Sequence, residues 1–120
     1  PELPFEASLD REAFSKIVSN LVSNALKYSD SQISLELLPP SGEERMFTLL
    51  VTNDGHLIPD SETENIFNPF YRLKETENRQ GSGIGLSLAH SLAEFHRGRL
   101  FYRQTLDGLN QFVLKLPEQQ

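Results

Sequence analysis

The chain has 120 residues, 11 Lys+Arg against 17 Asp+Glu for a formal net charge of −6, and neither Cys nor Trp. That length predicts one domain with a modest core, and the absence of Cys excludes disulfides, thiolate zinc sites and Cys nucleophiles. The acidic balance argues against wrapping duplex nucleic acid, which wants a basic face, and no apolar run is long enough to span a membrane.

Residues 1–9 carry two prolines and two glutamates and read as an extended lead-in. Asp10 is a candidate N-cap, with Glu12 in the first turn of the helix that follows. From Arg11 to about Tyr28, the residues Phe14, Ile17, Val18, Leu21, Val22 and Ala25 recur at helical spacing and cover one broad arc. Ser29-Asp30-Ser31 ends that helix. Ile33, Leu35 and Leu37 alternate with polar neighbours, the pattern of a half-buried strand. Pro39-Pro40-Ser41-Gly42 is a turn. Met46 to Thr52 is a second strand, more continuously apolar and so more central, and the two strands form a hairpin.

A polar loop runs from Asn53 to Asp60. Ser61-x-x-Glu64 has the form of a capping box opening a short helix over Glu62 to Phe67, which Asn68-Pro69 ends. Leu73 to Gln80 is charged, lacks an apolar face and reads as a mobile loop. Gly81-Ser82-Gly83-Ile84-Gly85 leads into a second amphipathic helix through Leu86, Leu88, Ala89, Leu92, Ala93 and Phe95, with Gly98 as its C-cap. Two strands follow, Arg99 to Thr105 and Gln111 to Leu116, around Asp107-Gly108, and Pro117 ends the domain. Hairpins segregated in this way predict helices on one face of a largely antiparallel sheet.

Three groups of residues carry chemistry. Asn20, Asn24 and Lys27 lie along one margin of the first helix's apolar arc, where a core ends and a cleft begins. A carboxamide oxygen suits Mg²⁺ and an ammonium suits a phosphate; the same stripe also reads as the wet edge of an amphipathic helix. Asn53-Asp54-Gly55, followed by Ile58-Pro59, stands directly after a strand. Asn or Asp there supplies an acceptor for an adenine amino group, and the same triplet is ordinary turn chemistry. Gly81 to Gly85 opens a helix, where glycines let backbone N–H groups approach phosphates. It lacks the Gly-Lys-Ser/Thr ending of a P-loop and the spacing of a Rossmann fingerprint, and it reads equally as a hinge.

In combination these segments resemble the sensor histidine kinases. Asn20-Leu21-Val22-Ser23-Asn24-Ala25-Leu26-Lys27-Tyr28 resembles their N box, and Val51 to Pro59 their first glycine box. Ile66-Phe67-Asn68-Pro69-Phe70-Tyr71-Arg72 is similar to their F box, and Gly81 to Leu86 to their second glycine box. His96-Arg97-Gly98 and Phe112 to Pro117 resemble the closing strands. The order and spacing match from Asp10 to Pro117. On these motifs the chain is identified as a member of the histidine kinase branch of the Bergerat-type ATPases.

The resemblance implies an α/β (α+β) two-layer sandwich, with helices on one face of a mixed, mostly antiparallel sheet. MgATP would lie between the N-box helix, the first glycine box and a lid. It implies that Asn24 coordinates Mg²⁺, Asn20 supports the triphosphate, Lys27 meets a phosphate and Tyr28 flanks the nucleotide. Asn53, Asp54, Gly55 and Ile58 belong to the nucleobase side. Gly81, Gly83, Gly85 and the Leu86 backbone cradle phosphates. Leu73 to Gln80 is the lid, with Phe67 and Phe70 at its base and Arg72 or Arg79 reaching the phosphates.

The implied activity is donation of the γ-phosphate of ATP to a histidine on a separate dimerisation domain of the same full-length kinase, and from there to a response regulator. The implied setting is the cytoplasm, with no nucleic acid and no membrane contact by this segment. The gyrase-type branch carries a Glu where Asn20 stands, so its water-activating group is missing here. His56, His90 and His96 read as structural or surface positions, not as the phosphoacceptor.

Three departures matter. The family's adenine reader is an Asp two residues before the first glycine, and Asn53 holds that place; a carboxylate accepts such a bond more strongly by about 1 kcal/mol. Leu57 stands where that box has its second glycine. Only residues 1–9 precede the N-box helix, so the expectation is a piece of a larger kinase whose first strand is cut short. Asn53 and Leu57 keep a second reading open: a degenerate, non-catalytic module of the same fold with weak or no ATP binding.

Overall fold

The structure, a computed structural model, describes residues 11–40, 45–69 and 85–117. The first helix, α1 (Arg11–Tyr28), buries Ala13, Ile17, Leu21 and Ala25. This is the i, i+4 row that the apolar arc predicted. Strands β1 (Ile33–Leu38) and β2 (Met46–Asn53) form the first hairpin. Helix α2 (Gly85–Phe95) and strands β3 (Arg99–Gln104) and β4 (Asn110–Pro117) follow. The expected lead-in, the Asp10 cap, the lid and the tip of the first hairpin at Ser41-Gly42 lie outside the described residues.

The sheet runs β1-β2-β4-β3. Every described pair is antiparallel, so the mixed sheet expected from the resemblance is antiparallel throughout among the described residues. β2 and β4 are the two central strands, and their register pairs Phe47 with Leu116, Leu49 with Leu114, Val51 with Phe112 and Asn53 with Asn110. Strand periodicity puts those eight side chains on one face, and all eight are buried. Both helices pack over that face, where Ile17, Leu21, Ala25, Ala89 and Ala93 join the strand residues in one core. The alanines on α1 and α2 let two helix backbones approach closely. Edge-on aromatic pairs, Phe14 with Phe47 and Phe67 with Phe112, fill the ends of the core.

β1 lies at the sheet edge and is half-buried as expected at Ile33 and Leu37, which pack partly buried against the core, whereas Leu35 between them, opposite Val51 on the helix-facing side, is half exposed.

The short helix expected over Glu62 to Phe67 is two separate 3₁₀ turns, Asp60–Glu62 and Asn65–Phe67. The capping box does not form, because Ser61 lies inside the first turn and not at a cap. The second turn still buries Ile66. Such short turns are what remains when there are too few residues to offset helix nucleation.

The end of α2 also differs from the expected glycine cap. Arg97, and not Gly98, takes the left-handed conformation, with φ +66°. The N–H of Arg97 donates to Glu94 O (3.0 Å) and that of Gly98 to Ala93 O (2.8 Å), the paired bonds of a Schellman ending. Gly98 is required for another reason. A Cβ there would lie 2.2 Å from the Lys115 carbonyl oxygen, so β4 is able to pass directly against it.

Candidate nucleotide site

The site forms where the C-terminal half of α1, the loop leaving β2 and the N-terminus of α2 converge. Asn20, Asn24 and Lys27 lie on one side of α1, as ~100° per residue requires. Asn20 and Asn24 are half-buried and Lys27 is exposed. The Asn20 amide donates to Lys16 O (2.9 Å), which spends its N–H on its own helix. Its oxygen faces the first residue of α2: a Cβ on Gly85 would lie 3.1 Å from Asn20 Oδ1. The N box and the start of α2 are thus brought together, and Leu86 packs its side chain on the core. Gly81, Gly83, Arg72 and Arg79 lie outside the described residues.

The loop after β2 is fixed to the end of α1. Gly55 has φ +118°, and a Cβ there would sit 2.2 Å from the Tyr28 carbonyl oxygen. The loop therefore reaches Tyr28 backbone to backbone, and a side chain at position 55 is excluded on both counts.

Asp54 closes the same contact. Its carboxylate accepts N–H bonds from Asp30 (2.9 Å), Ser31 (3.0 Å) and Gln32 (3.0 Å) and an O–H bond from Ser31 Oγ (2.8 Å). Three successive N–H groups converging on one anion form a nest. The Ser31 backbone N–H chiefly, with those of Gln32 and Asp30 and the Ser31 hydroxyl, holds this carboxyl down at about 2, against a desolvation that acts the other way. Asp54, placed on the nucleobase side by the resemblance, uses its carboxylate to tie the α1–β1 turn, and Asn53 is the polar group that ends β2 on the helix-facing side.

Asn53 is 3% exposed, and its amide N–H donates to Asp54 O. Directly across the sheet, Asn110 is 4% exposed. Its amide donates to His56 O (2.8 Å), and its oxygen accepts from the Tyr102 hydroxyl. That hydroxyl also accepts from the Ile58 N–H (3.2 Å), while Gln104 Nε2 donates to Ile58 O (3.2 Å). Burial pushes the Tyr102 hydroxyl above its ordinary value of 10, so it stays protonated and donates. Ile58 is buried in the core and Leu57 is partly exposed at 40%.

Tyr102, Gln104 and Asn110 were not singled out from the sequence. The available signal was polarity out of place: Tyr102 and Gln104 continue the helix-facing alternation that Leu100 begins, and Asn110 begins the one that Phe112 and Leu114 continue. His90 stacks on Phe67 (centroids 4.8 Å apart) and lies 3.7 Å from Glu94, a packing role in keeping with its structural reading. Among the described residues no group of His, Cys, Asp and Glu is arranged to hold a metal ion. No described helix is long and apolar enough to cross a membrane.

A family model described as "Histidine kinase-, DNA gyrase B-, and HSP90-like ATPase" matches residues 9–120. The chain is 32% identical over 110 residues to a probable sensor kinase, SilS, of Salmonella typhimurium, covering 90% of this chain and 22% of that protein. Among solved structures it resembles the catalytic domain of the histidine kinase ThkA, with TM-score 0.72, 27% identity, and 91% of this chain and 68% of that one covered. It shares the fold of the mycobacterial sensor histidine kinase MprB, with TM-score 0.81 at 23% identity, covering 92% and 76%. The chain spans less than a third of the length of the curated relatives it matches first. An antiparallel sheet under two helices, an N-box helix set against the second glycine-box helix, and a family match over nearly every residue agree: the chain belongs to the histidine kinase-, DNA gyrase B- and HSP90-like ATPase family, as a catalytic domain of the histidine kinase type.

Proposed function

We propose that this chain binds MgATP and donates the γ-phosphate to a histidine on a separate dimerisation domain of its full-length kinase, which then passes it to a response regulator. The observation that carries this reading is the approach of Asn20 Oδ1 to the first residue of α2. It joins the amide-bearing helix to a helix N-terminus, a place where a polyphosphate is stabilised by free N–H groups and the helix dipole.

The donor set fits Mg²⁺ that arrives with the nucleotide and not a resident ion. The described residues offer it neutral amide oxygens and no carboxylate cluster, and Mg²⁺ commonly takes most of its ligands from substrate phosphates and water. Asn24 would hold it, and bound there it neutralises phosphate charge. Asn20 orients the triphosphate, Lys27 meets a phosphate oxygen and Tyr28 flanks the nucleotide. On the phosphate side, Gly81, Gly83, Gly85 and Leu86 offer backbone N–H groups, with Arg72 or Arg79 closing from the lid. On the base side Asn53 accepts from the adenine amino group, with Gly55 and Ile58 forming the wall.

Phosphoryl transfer asks the protein chiefly for positioning and charge stabilisation, and Asn20 in place of a water-activating Glu suits transfer to another nucleophile over hydrolysis. The setting of such a domain is the cytoplasm. The test is incubation of the chain with γ-labelled ATP, Mg²⁺ and the histidine-bearing helix bundle of its own full-length kinase. Acid-labile, base-stable label on the bundle is the expected result, and no transfer together with weak or absent MgATP binding would favour the non-catalytic module.

A further inference from the structure

The segment Asp54 to Ile58 has no helix or strand, yet alternate residues along it are each held by a side chain. Asn53 holds the Asp54 carbonyl, Asn110 holds the His56 carbonyl, and Tyr102 and Gln104 hold the N–H and the carbonyl of Ile58. Three of these four side chains come from the second hairpin, 44 to 54 residues away in sequence. The Tyr102 hydroxyl and the Asn110 oxygen are bonded to each other as well, so the grips on His56 and Ile58 are one unit.

We propose that Tyr102 and Asn110 are positioning residues of the nucleotide site, a latch by which the β3–β4 hairpin sets the base-side loop in its binding conformation before nucleotide arrives. The proposal rests on the reading of Asn53, Gly55 and Ile58 as the base-side wall. Two features argue for more than routine satisfaction of loop backbone. The latch commits the buried Asn110 and the half-buried Tyr102 to a strand face whose other central residues, Leu100, Phe112 and Leu114, are core. It also acts on the one stretch of the loop that neither the Asp54 nest nor the Gly55–Tyr28 contact reaches. A loop fixed beforehand does not have to be ordered at the moment of binding, and that saving appears as affinity.

Tyr102→Phe removes the acceptor of the Ile58 N–H and the donor to Asn110 while keeping the ring against Phe112. Gln104→Ala, on an exposed side chain, loosens the same residue at no cost to the core and serves should Tyr102→Phe fail to fold. Thr105→Ala is the control: it deletes a hydrogen bond to Leu109 within the same hairpin and touches nothing in the loop. MgADP binding is measured by calorimetry well below the melting temperature, and amide hydrogen exchange in the nucleotide-free protein. In Tyr102→Phe the dissociation constant is expected to rise about tenfold, and the Ile58 amide to exchange faster while α1 core amides do not. Gln104→Ala follows in the same direction and Thr105→Ala leaves both unchanged. Wild-type binding with unaltered affinity in Tyr102→Phe and Gln104→Ala overturns the latch alone, as does an equal loss in Thr105→Ala. No binding by the wild type overturns the latch together with the proposed function.

Discussion

Asp54 Oδ1 lies 3.0 Å from the backbone nitrogen of Ser31, and Oδ2 lies 2.8 Å from the Ser31 hydroxyl. One carboxylate at the end of the first hairpin thereby fixes the turn between the N-box helix and the sheet. Because these bonds favour its ionised form, the folded pKa is about 2 against an ordinary 3.8. A depressed folded pKa contributes stability that is fully present above the unfolded value and is lost as pH falls through the folded one. The melting temperature of the wild type should therefore exceed that of Asp54→Asn by a constant margin at neutral pH. The margin should shrink between about pH 4 and pH 2, as melts across that range would measure.

Gly55 meets two prohibitions at once, a φ of +118° and a Tyr28 carbonyl oxygen 2.2 Å from any added Cβ. Gly55→Ala should cost roughly 2–4 kcal/mol of folding stability. It should also weaken nucleotide binding, since the backbone that must move is the base-side wall. Denaturant melts and a MgATP titration of the same sample measure the two effects separately.

Arg97 and Gly98 give a paired prediction. Arg97→Gly relieves a left-handed residue and should raise stability by up to about 1 kcal/mol. Gly98→Ala should lower it by more than that, because its Cβ meets the Lys115 carbonyl oxygen at 2.2 Å and the Leu116 side chain at 2.6 Å. Were Gly98 the left-handed cap that sequence suggests, Arg97→Gly would give no gain.

Asn53→Asp exchanges a neutral acceptor for a charged one and removes the donor to the Asp54 carbonyl. The first change favours the adenine amino group by about 1 kcal/mol, and the second loosens the loop that presents it. The dissociation constant for MgATP should stay within about fivefold of the wild type, with a lower melting temperature. A gain well beyond tenfold would mark the natural residue as a defect and favour the degenerate module.

Helical and strand periodicity carried most of the fold: α1 runs from Arg11 to Tyr28 as expected, and β2, the more continuously apolar strand of its hairpin, is central as expected, while the central place of β4 had no such reading in the sequence. What periodicity could not carry was geometry that depends on distant backbone. Gly98 looks like a cap until β4 is seen to pass against it. Ser61 and Glu64 have capping-box spacing, but the segment is too short for a helix to form. At the site, the approach of Asn20 to Gly85 joins two motifs that are local and so legible in the sequence. The bonds of Asp54 to Asp30, Ser31 and Gln32 were not, since they depend on how the loop after β2 meets the turn after α1. Tyr102 and Asn110 were hidden because their partners lie some 50 residues away across the sheet.

The central claim is that the α1 amides and the helix N-terminus facing them form a MgATP site. Calorimetric titration of the chain with ATP, with and without Mg²⁺, for the wild type and Asn24→Ala, tests it most directly. A saturable heat that Mg²⁺ strengthens in the wild type, and that Mg²⁺ no longer strengthens in Asn24→Ala, is the predicted result. No heat from the wild type in the presence of Mg²⁺, or an Asn24→Ala variant that keeps the full Mg²⁺ dependence, would contradict it.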